Sequence, residues 1–282
     1  MVHMKGQKAD GRGQTLRASA LYTRLSALIP LLAALLLLPG CDLSIGNLTG
    51  RATEEWTRSY PLAAGGEVRV GNTNGRVEVE GVDGATVEVR AEKIARGATD
   101  TAAQELLPRI KIIEDVQPNR VSIETERMNG IMIGAAFEVR YHLRVPKQAT
   151  IIARTTNGGV GLTGLAGRIE AHTTNGGVTA KEIAGGIEAR STNGGVSIDL
   201  ASLGSDPISA HTTNGGVTLF VPDAAKADVS AACTNGGILV APELSLTVSE
   251  QSRRRLEGKL NGGGTHIDLQ TTNGGVRIKT RG

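Results

Sequence analysis

Acids and cations fall into two columns of this chain. Glu170, Glu188 and Asp268 recur five residues ahead of an Asn-Gly-Gly turn, and Arg154, His172, Arg190, His211 and Gln270 recur three residues ahead of it. Polysaccharide lyases and hydrolases built as parallel β-helices use clustered Asp, Arg or Lys on one outward face, so glycosidic bond cleavage is the first chemistry to weigh. The spacing favours a quieter role. Opposite charges two residues apart along a strand, and diagonally across neighbouring strands, form a surface ion ladder that is worth little energetically and keeps the face soluble. His172 and His211 stand two repeats apart, ~10 Å at the strand spacing of a sheet, too far to share one metal ion. A calcium-binding repeat needs Asp after its glycines, where these turns carry Val or Ile. Cys233 has no His or acid on the inward face of its own repeat, so it reads as a small core residue rather than a nucleophile. Aromatic residues make up 2% of the chain, which leaves no stacking platform for sugars or bases. No catalytic residue, metal or cofactor is therefore expected, and the protein is not expected to be an enzyme.

The elements that carry these columns are repeats. The phrase TTNGGV stands at 155–160, 173–178, 212–217 and 271–276, with the near copies STNGGV at 191–196 and CTNGGI at 233–238. Their asparagines, Asn157, Asn175, Asn193, Asn214, Asn235 and Asn273, are separated by 18, 18, 21, 21 and 38 residues, the last step being close to two periods. A fixed period near 20 residues marks a supersecondary unit that stacks on its neighbours. Six residues before each Asn stand Ile151, Ile169, Ile187, Ile208, Val229 and Ile267, and four before it Ala153, Ala171, Ala189, Ala210, Ala231 and Leu269. Two before it come Thr, Ser or Cys, small enough to share the same face. Period-two alternation of this kind is a β-strand with one buried face. Gly-Gly then gives the chain freedom to turn. A second strand follows, its inward residues being pairs such as Val160 and Leu162 or Val196 and Ile198.

An Asn-Gly pair between alternating strands also fits a hairpin meander. Equal repeat lengths and identical columns favour stacking in register, which would set Asn over Asn so that each amide bonds its copies above and below. The expected fold is all-β: a β-solenoid of about 18–21-residue coils, with a less regular β-rich N-terminal part and one short helix. The regular array is expected over residues 151–282 and its irregular start over 56–150.

Residues 1–40 read as a secretory signal, with Lys5, Lys8, Arg12, Arg17 and Arg24 preceding an apolar run from Ala27 to Leu38. The run is short for a membrane span of about 20 residues. Leu38-Pro39-Gly40-Cys41 resembles a bacterial lipobox, which implies that Cys41 is lipidated and becomes the first mature residue, followed by a tether over 41–55. Asp42 resembles an inner-membrane retention signal. The leader also accounts for the net charge of +3: of 31 basic residues five lie in 1–40, leaving 26, and of 28 acidic residues one lies there, leaving 27. The near-neutral remainder carries no electrostatic footprint of a nucleic-acid binder.

Between Trp56 and Pro146 the pattern is β-rich. Glu67-Val68-Arg69-Val70 leading to Asn74-Gly75 is a degenerate repeat, Asp100 to Leu107 reads as a short helix capped by Asp100 or Thr101, and strands from Ile110 to Leu143 are expected to lie over the first coils. Met128 to Ala136 is an apolar, glycine-bearing loop that could offer a contact surface. Residues 245–260, with Arg253-Arg254-Arg255, interrupt the period and are expected as a solvated loop or short helix. The last strand, carrying Arg277, Lys279 and Arg281 outward, is expected to close the open end of the solenoid with charge.

The early strand pair around Asn74-Gly75, the phrase YHLRVP at 141–146 and the TNGGV units resemble a bacterial β-strand-repeat family of unknown function whose members are named putative adhesins, and are similar to GIN-type adhesin head domains. The resemblance covers about residues 56–282 and implies no catalytic residues. The expectation is an exported, membrane-anchored protein of the cell envelope, on its periplasmic or cell-surface side, held by lipid at Cys41. It would act as a non-catalytic binding, adhesin-like or scaffolding module for a glycan or protein ligand. The alternatives are a polysaccharide-active β-helix enzyme or an accessory, regulatory envelope protein.

Overall fold

The structure is a computed structural model that describes residues 48–126 and 134–281. The leader, Cys41 and most of the Met128–Ala136 loop lie outside the described residues. Seven strands precede the regular array: β1 (Gly50–Pro61), β2 (Glu67–Asn74), β3 (Val77–Val82), β4 (Thr86–Gly97), β5 (Ile112–Gln117), β6 (Arg120–Thr125) and β7 (Ala136–Pro146). A helix, α1 (Asp100–Leu106), and a 3-10 turn over Leu107–Arg109 lie between β4 and β5. The array follows as β8 (Thr150–Asn157), β9 (Val160–Thr163), β10 (Ile169–Asn175), β11 (Val178–Ile183), β12 (Ile187–Asn193), β13 (Val196–Leu200), β14 (Ile208–Asn214) and β15 (Val217–Val221). It ends with β16 (Ala227–Asn235), β17 (Ile238–Val240), β18 (Leu246–Gln251), β19 (Arg255–Leu260), β20 (Thr265–Asn273) and β21 (Val276–Thr280).

Each coil contributes one strand to each of two sheets. Strands that end in Asn join an 11-stranded sheet in the order β18-β19-β16-β20-β14-β12-β10-β8-β2-β6-β5, and strands that follow Gly-Gly join a 10-stranded sheet in the order β1-β4-β7-β3-β9-β11-β13-β15-β21-β17. The regular coils pair in parallel and in register, with Ile169 opposite Ile187, Ala171 opposite Ala189 and Asn175 opposite Asn193. The core between the sheets is made of these stacked columns, with Ile151, Ile169, Ile187 and Ile208 fully buried on one side and Val160, Val178, Val196 and Val217 on the other. Parallel pairing with one face inward leaves register no freedom, because a one-residue slip would turn every Ile to water.

The first Gly of each turn is fixed by the stacking itself. A Cβ on Gly194 would overlap the carbonyl oxygen of Gly176, and one on Gly176 that of Gly158. The second Gly has more room, with nothing nearer to a Cβ on Gly195 than the Gly216 oxygen at 3.2 Å. Backbone hydrogen bonds consequently run round the corner without a break, from Gly176 N to Asn193 O at 2.9 Å and from Val178 N to Gly195 O at 3.0 Å.

Several expectations need correction. The last repeat does not close the stack: β20 lies between β14 and β16, and β21 between β15 and β17. Arg277 and Lys279 are therefore on an interior strand, and the 10-stranded sheet ends at the three-residue β17. Residues 245–260 form the antiparallel β18–β19 hairpin, not a loop or helix; Leu256 and Leu260 are buried, so alternation with Glu257 and Lys259 gives β19 a core face. The strands of the N-terminal part do not lie over the coils. They extend both sheets, β6 and β5 beyond β2 on one side and β7, β4 and β1 beyond β3 on the other. β1 begins at Gly50, inside the segment read as tether, and pairs along its whole length with β4. Thr99 caps α1, its Oγ1 accepting from Ala102 N at 3.2 Å; Asp100 is diverted, its Oδ1 accepting from Arg51 N at 3.0 Å.

Candidate functional site

The outward face of the 11-stranded sheet carries a trough that crosses the strands from β5 and β6 to β16 and encloses about 960 Å³. Register builds its two walls. The position three before each Asn supplies Arg154, His172, Arg190, His211, Gln270 and Ala232, and the position immediately before each Asn supplies Thr73, Thr156, Thr174, Thr192, Thr213, Thr272 and Thr234, read along the stack. Glu124 and Glu126 stand at the β6 end.

The two threonine columns of the repeat have different roles. The inner one is buried, and its hydroxyls donate to the first Gly carbonyl of the neighbouring turn: Thr173 to Gly158 O, Ser191 to Gly176 O, Thr212 to Gly194 O and Thr271 to Gly215 O, each at 2.7 Å. Cys233 occupies this column in β16 and is buried as a free thiol. The outer column points into the trough, and among the described residues none of its hydroxyls has a hydrogen-bond partner in the protein. The sequence pattern places the inner column on the buried face, where the structure has it, but gives the outer one no role, although its seven identical residues stand at one repeat position.

Beside the trough runs an asparagine ladder. Asn157 donates through Nδ2 to Asn74 Oδ1 at 2.7 Å, and Asn175 to Asn157, Asn193 to Asn175, Asn214 to Asn193, Asn273 to Asn214 and Asn235 to Asn273 each at 2.8 Å. Asn157, Asn175, Asn193, Asn214, Asn235 and Asn273 are exposed, forming a ridge along the corner. At the β2 end Asn72 replaces the inner threonine and ties a buried network, donating to Val139 O at 2.7 Å and accepting from Thr125 Oγ1 at 3.1 Å. Thr125 in turn meets the Tyr141 hydroxyl at 2.8 Å, whose pKa burial pushes up to about 12.

The charged wall is paired internally. Arg190 Nε lies 2.6 Å from Glu188 Oε1 on its own strand, and Arg154 reaches Glu170 on the next at 3.8 Å. The Arg190 hydrogen bond holds the Glu188 carboxyl below its ordinary range, while burial, aided by Arg154, holds the His172 imidazole below its own. His172 and Glu188 are 3.9 Å apart. Ser209, His211 and Asp268 meet, but not as a catalytic triad. Ser209 Oγ at 3.2 Å and Asp268 Oδ2 at 2.8 Å both approach Nε2 of His211. A nucleophile relay needs the hydroxyl and the acid on opposite ring nitrogens, so this cluster pins β20 against β14 and does not activate Ser209. Among the described residues no group of three or more His, Cys, Asp or Glu is placed to hold a metal ion, and no helix is long and apolar enough to cross a membrane.

Residues 64–279 match the model of the Toastrack DUF4097 family. No curated protein matches the chain. Among solved structures, the chain is similar to a putative cell adhesion protein from Clostridium sporogenes at 10% identity, over 82% of this chain and 100% of that one, with a TM-score of 0.46. It is also similar to a putative adhesin from Bacteroides fragilis at 11% identity, over 81% and 97% of the two chains, with a TM-score of 0.30. A putative lipid binding protein from Parabacteroides distasonis has 11% identity over 81% and 95%, with a TM-score of 0.28.

Proposed function

The chain belongs to the Toastrack DUF4097 family, and on that premise we propose that it is a non-catalytic binding module of the cell envelope, exported and held at a membrane by lipid on Cys41. The observation that carries the binding role is the trough: seven strands in register present one repeated polar surface, while the acids and cations beside it are engaged with each other. An adhesin-like or scaffolding protein needs a rigid, extended surface, and parallel coils locked by inward Ile and Val columns supply one. The leader and the Leu38-Pro39-Gly40-Cys41 sequence support export and acylation.

Two measurements test the two halves of this reading. Metabolic labelling with a fatty acid is expected to mark the wild-type chain and not Cys41→Ala; equal labelling removes the anchor. Incubation of the full chain with isolated envelope polysaccharide is expected to give co-sedimentation without release of reducing ends. Reducing ends that appear with the wild type and vanish in Glu170→Gln/Arg190→Gln/His211→Ala, with the fold intact, would instead establish the polysaccharide-active enzyme.

A further inference from the structure

We infer that the trough receives a single glycan strand laid along the stack axis, one sugar unit to each coil. This rests on the binding-module reading and specifies its ligand. Because the trough crosses the strands, an occupant runs perpendicular to them and meets successive rungs at the strand spacing of ~4.8 Å. Every rung offers the same thing, a threonine hydroxyl that is both donor and acceptor and has no partner among the described residues. An occupant that bonds rung after rung must itself repeat near that spacing. An extended polypeptide advances ~3.3 Å per residue and falls out of step within two or three rungs. A pyranose unit of an extended β-linked glycan is close to one rung long and carries a hydroxyl or amide on each ring.

The opposite wall adds one spacing of its own. Arg154 and Arg190 stand on alternate rungs, separated by His172. In a β-1,4-linked chain successive rings are flipped, so Arg154 and Arg190, two rungs apart, meet the same face of their rings and find equivalent oxygens. The charge balance points to a neutral chain, because Arg154 and Arg190 already face Glu170 and Glu188, and Glu124 and Glu126 close one end. With no Phe, Tyr or Trp among the described residues that line the trough, binding is by hydrogen bonds, modest per unit and cumulative over length.

Titration calorimetry of the full chain with β-1,4-linked N-acetylglucosamine and glucose oligomers of two to seven units tests this. Affinity is expected to rise with every added unit up to the length of the threonine column. Thr174→Val/Thr192→Val/Thr213→Val, which keeps side-chain shape and strand preference, is expected to lower the affinity for the longest binding oligomer by about tenfold with an unchanged melting temperature. The inference is overturned if no oligomer of either series binds, if dimer and heptamer bind equally, or if the triple variant binds as the wild type does. Co-sedimentation with envelope material that survives the triple substitution would leave the binding module standing and remove the glycan trough.

Discussion

Asn273 donates through Nδ2 to Oδ1 of Asn214 at 2.8 Å across 59 residues of sequence, the same length as the bond from Asn214 to Asn193, 21 residues away. The ladder thus records spatial neighbours, and the chain order of the last two coils is inverted within it. Asn193→Ala removes one bond on each side, to Asn175 and to Asn214. For exposed amides at the lower end of ~0.5–1.5 kcal/mol each, the expected loss is about 1 kcal/mol, read as a lower urea midpoint with an unchanged slope.

The paired glycines should respond very differently to the same added methyl. Gly194→Ala forces a Cβ against the Gly176 carbonyl and is expected to cost ~2–3 kcal/mol, whereas Gly195→Ala, with its nearest neighbour at 3.2 Å, should stay below about 1 kcal/mol. Thermal melts of the two variants side by side check this; equal loss would show that coil stacking does not set the requirement.

Adjacent threonines separate stability from binding. Thr173→Val deprives the Gly158 carbonyl of its 2.7 Å bond and is expected to cost about 1–2 kcal/mol. Thr174→Val, one residue on, loses no bond to the described protein and should melt as the wild type does.

Acid should weaken the fold in two stages. Burial, with Arg154 and Arg190 nearby, holds the folded His172 below its ordinary value, against the opposing pull of Glu188 and Glu170. The unfolded chain therefore takes up more protons as pH falls through ~6.5, and stability drops there. Glu188, held below its ordinary range first by the Arg190 hydrogen bond, contributes stability above ~4.3 that is lost on further acidification. Urea midpoints from pH ~7.5 down to ~2.5 should show both limbs, and His172→Gln should erase the upper one.

The coil was legible because its cause is local. Period-two columns such as Ile151, Ile169 and Ile187 fix which face is inward, and identical columns fix register. The ion ladder at Glu188 and Arg190 was legible for the same reason. The position of the last repeat was not. Asn235 and Asn273 sit in nearly identical phrases, and either could follow Asn214 in space; the choice falls to long-range partners such as Asp268 against His211 and the antiparallel β16–β19 pairing. The trough was missed because each outer threonine is unremarkable alone, a common strand residue on a wet face, and acquires meaning only when seven are brought onto one wall.

Deleting residues 262–282 tests how far the end of the chain is integrated. The deletion strips a strand from the middle of each sheet and leaves β14, β15, β16 and β17 with bare edges, so aggregation is expected in gel filtration. A profile identical to that of the wild type would contradict this order of strands.

The placement of β20 and β21 also constrains the sequence of events in biogenesis. A chain emerging from its N-terminus can lay down coils one upon another as far as β15, but the next one synthesised, β16–β17, has no permanent seat until β20–β21, made after it, slide in beneath it. These coils therefore cannot be laid down in chain order, and a molecule that lacks β20–β21 is left not with a shorter stack but with an unplaced coil.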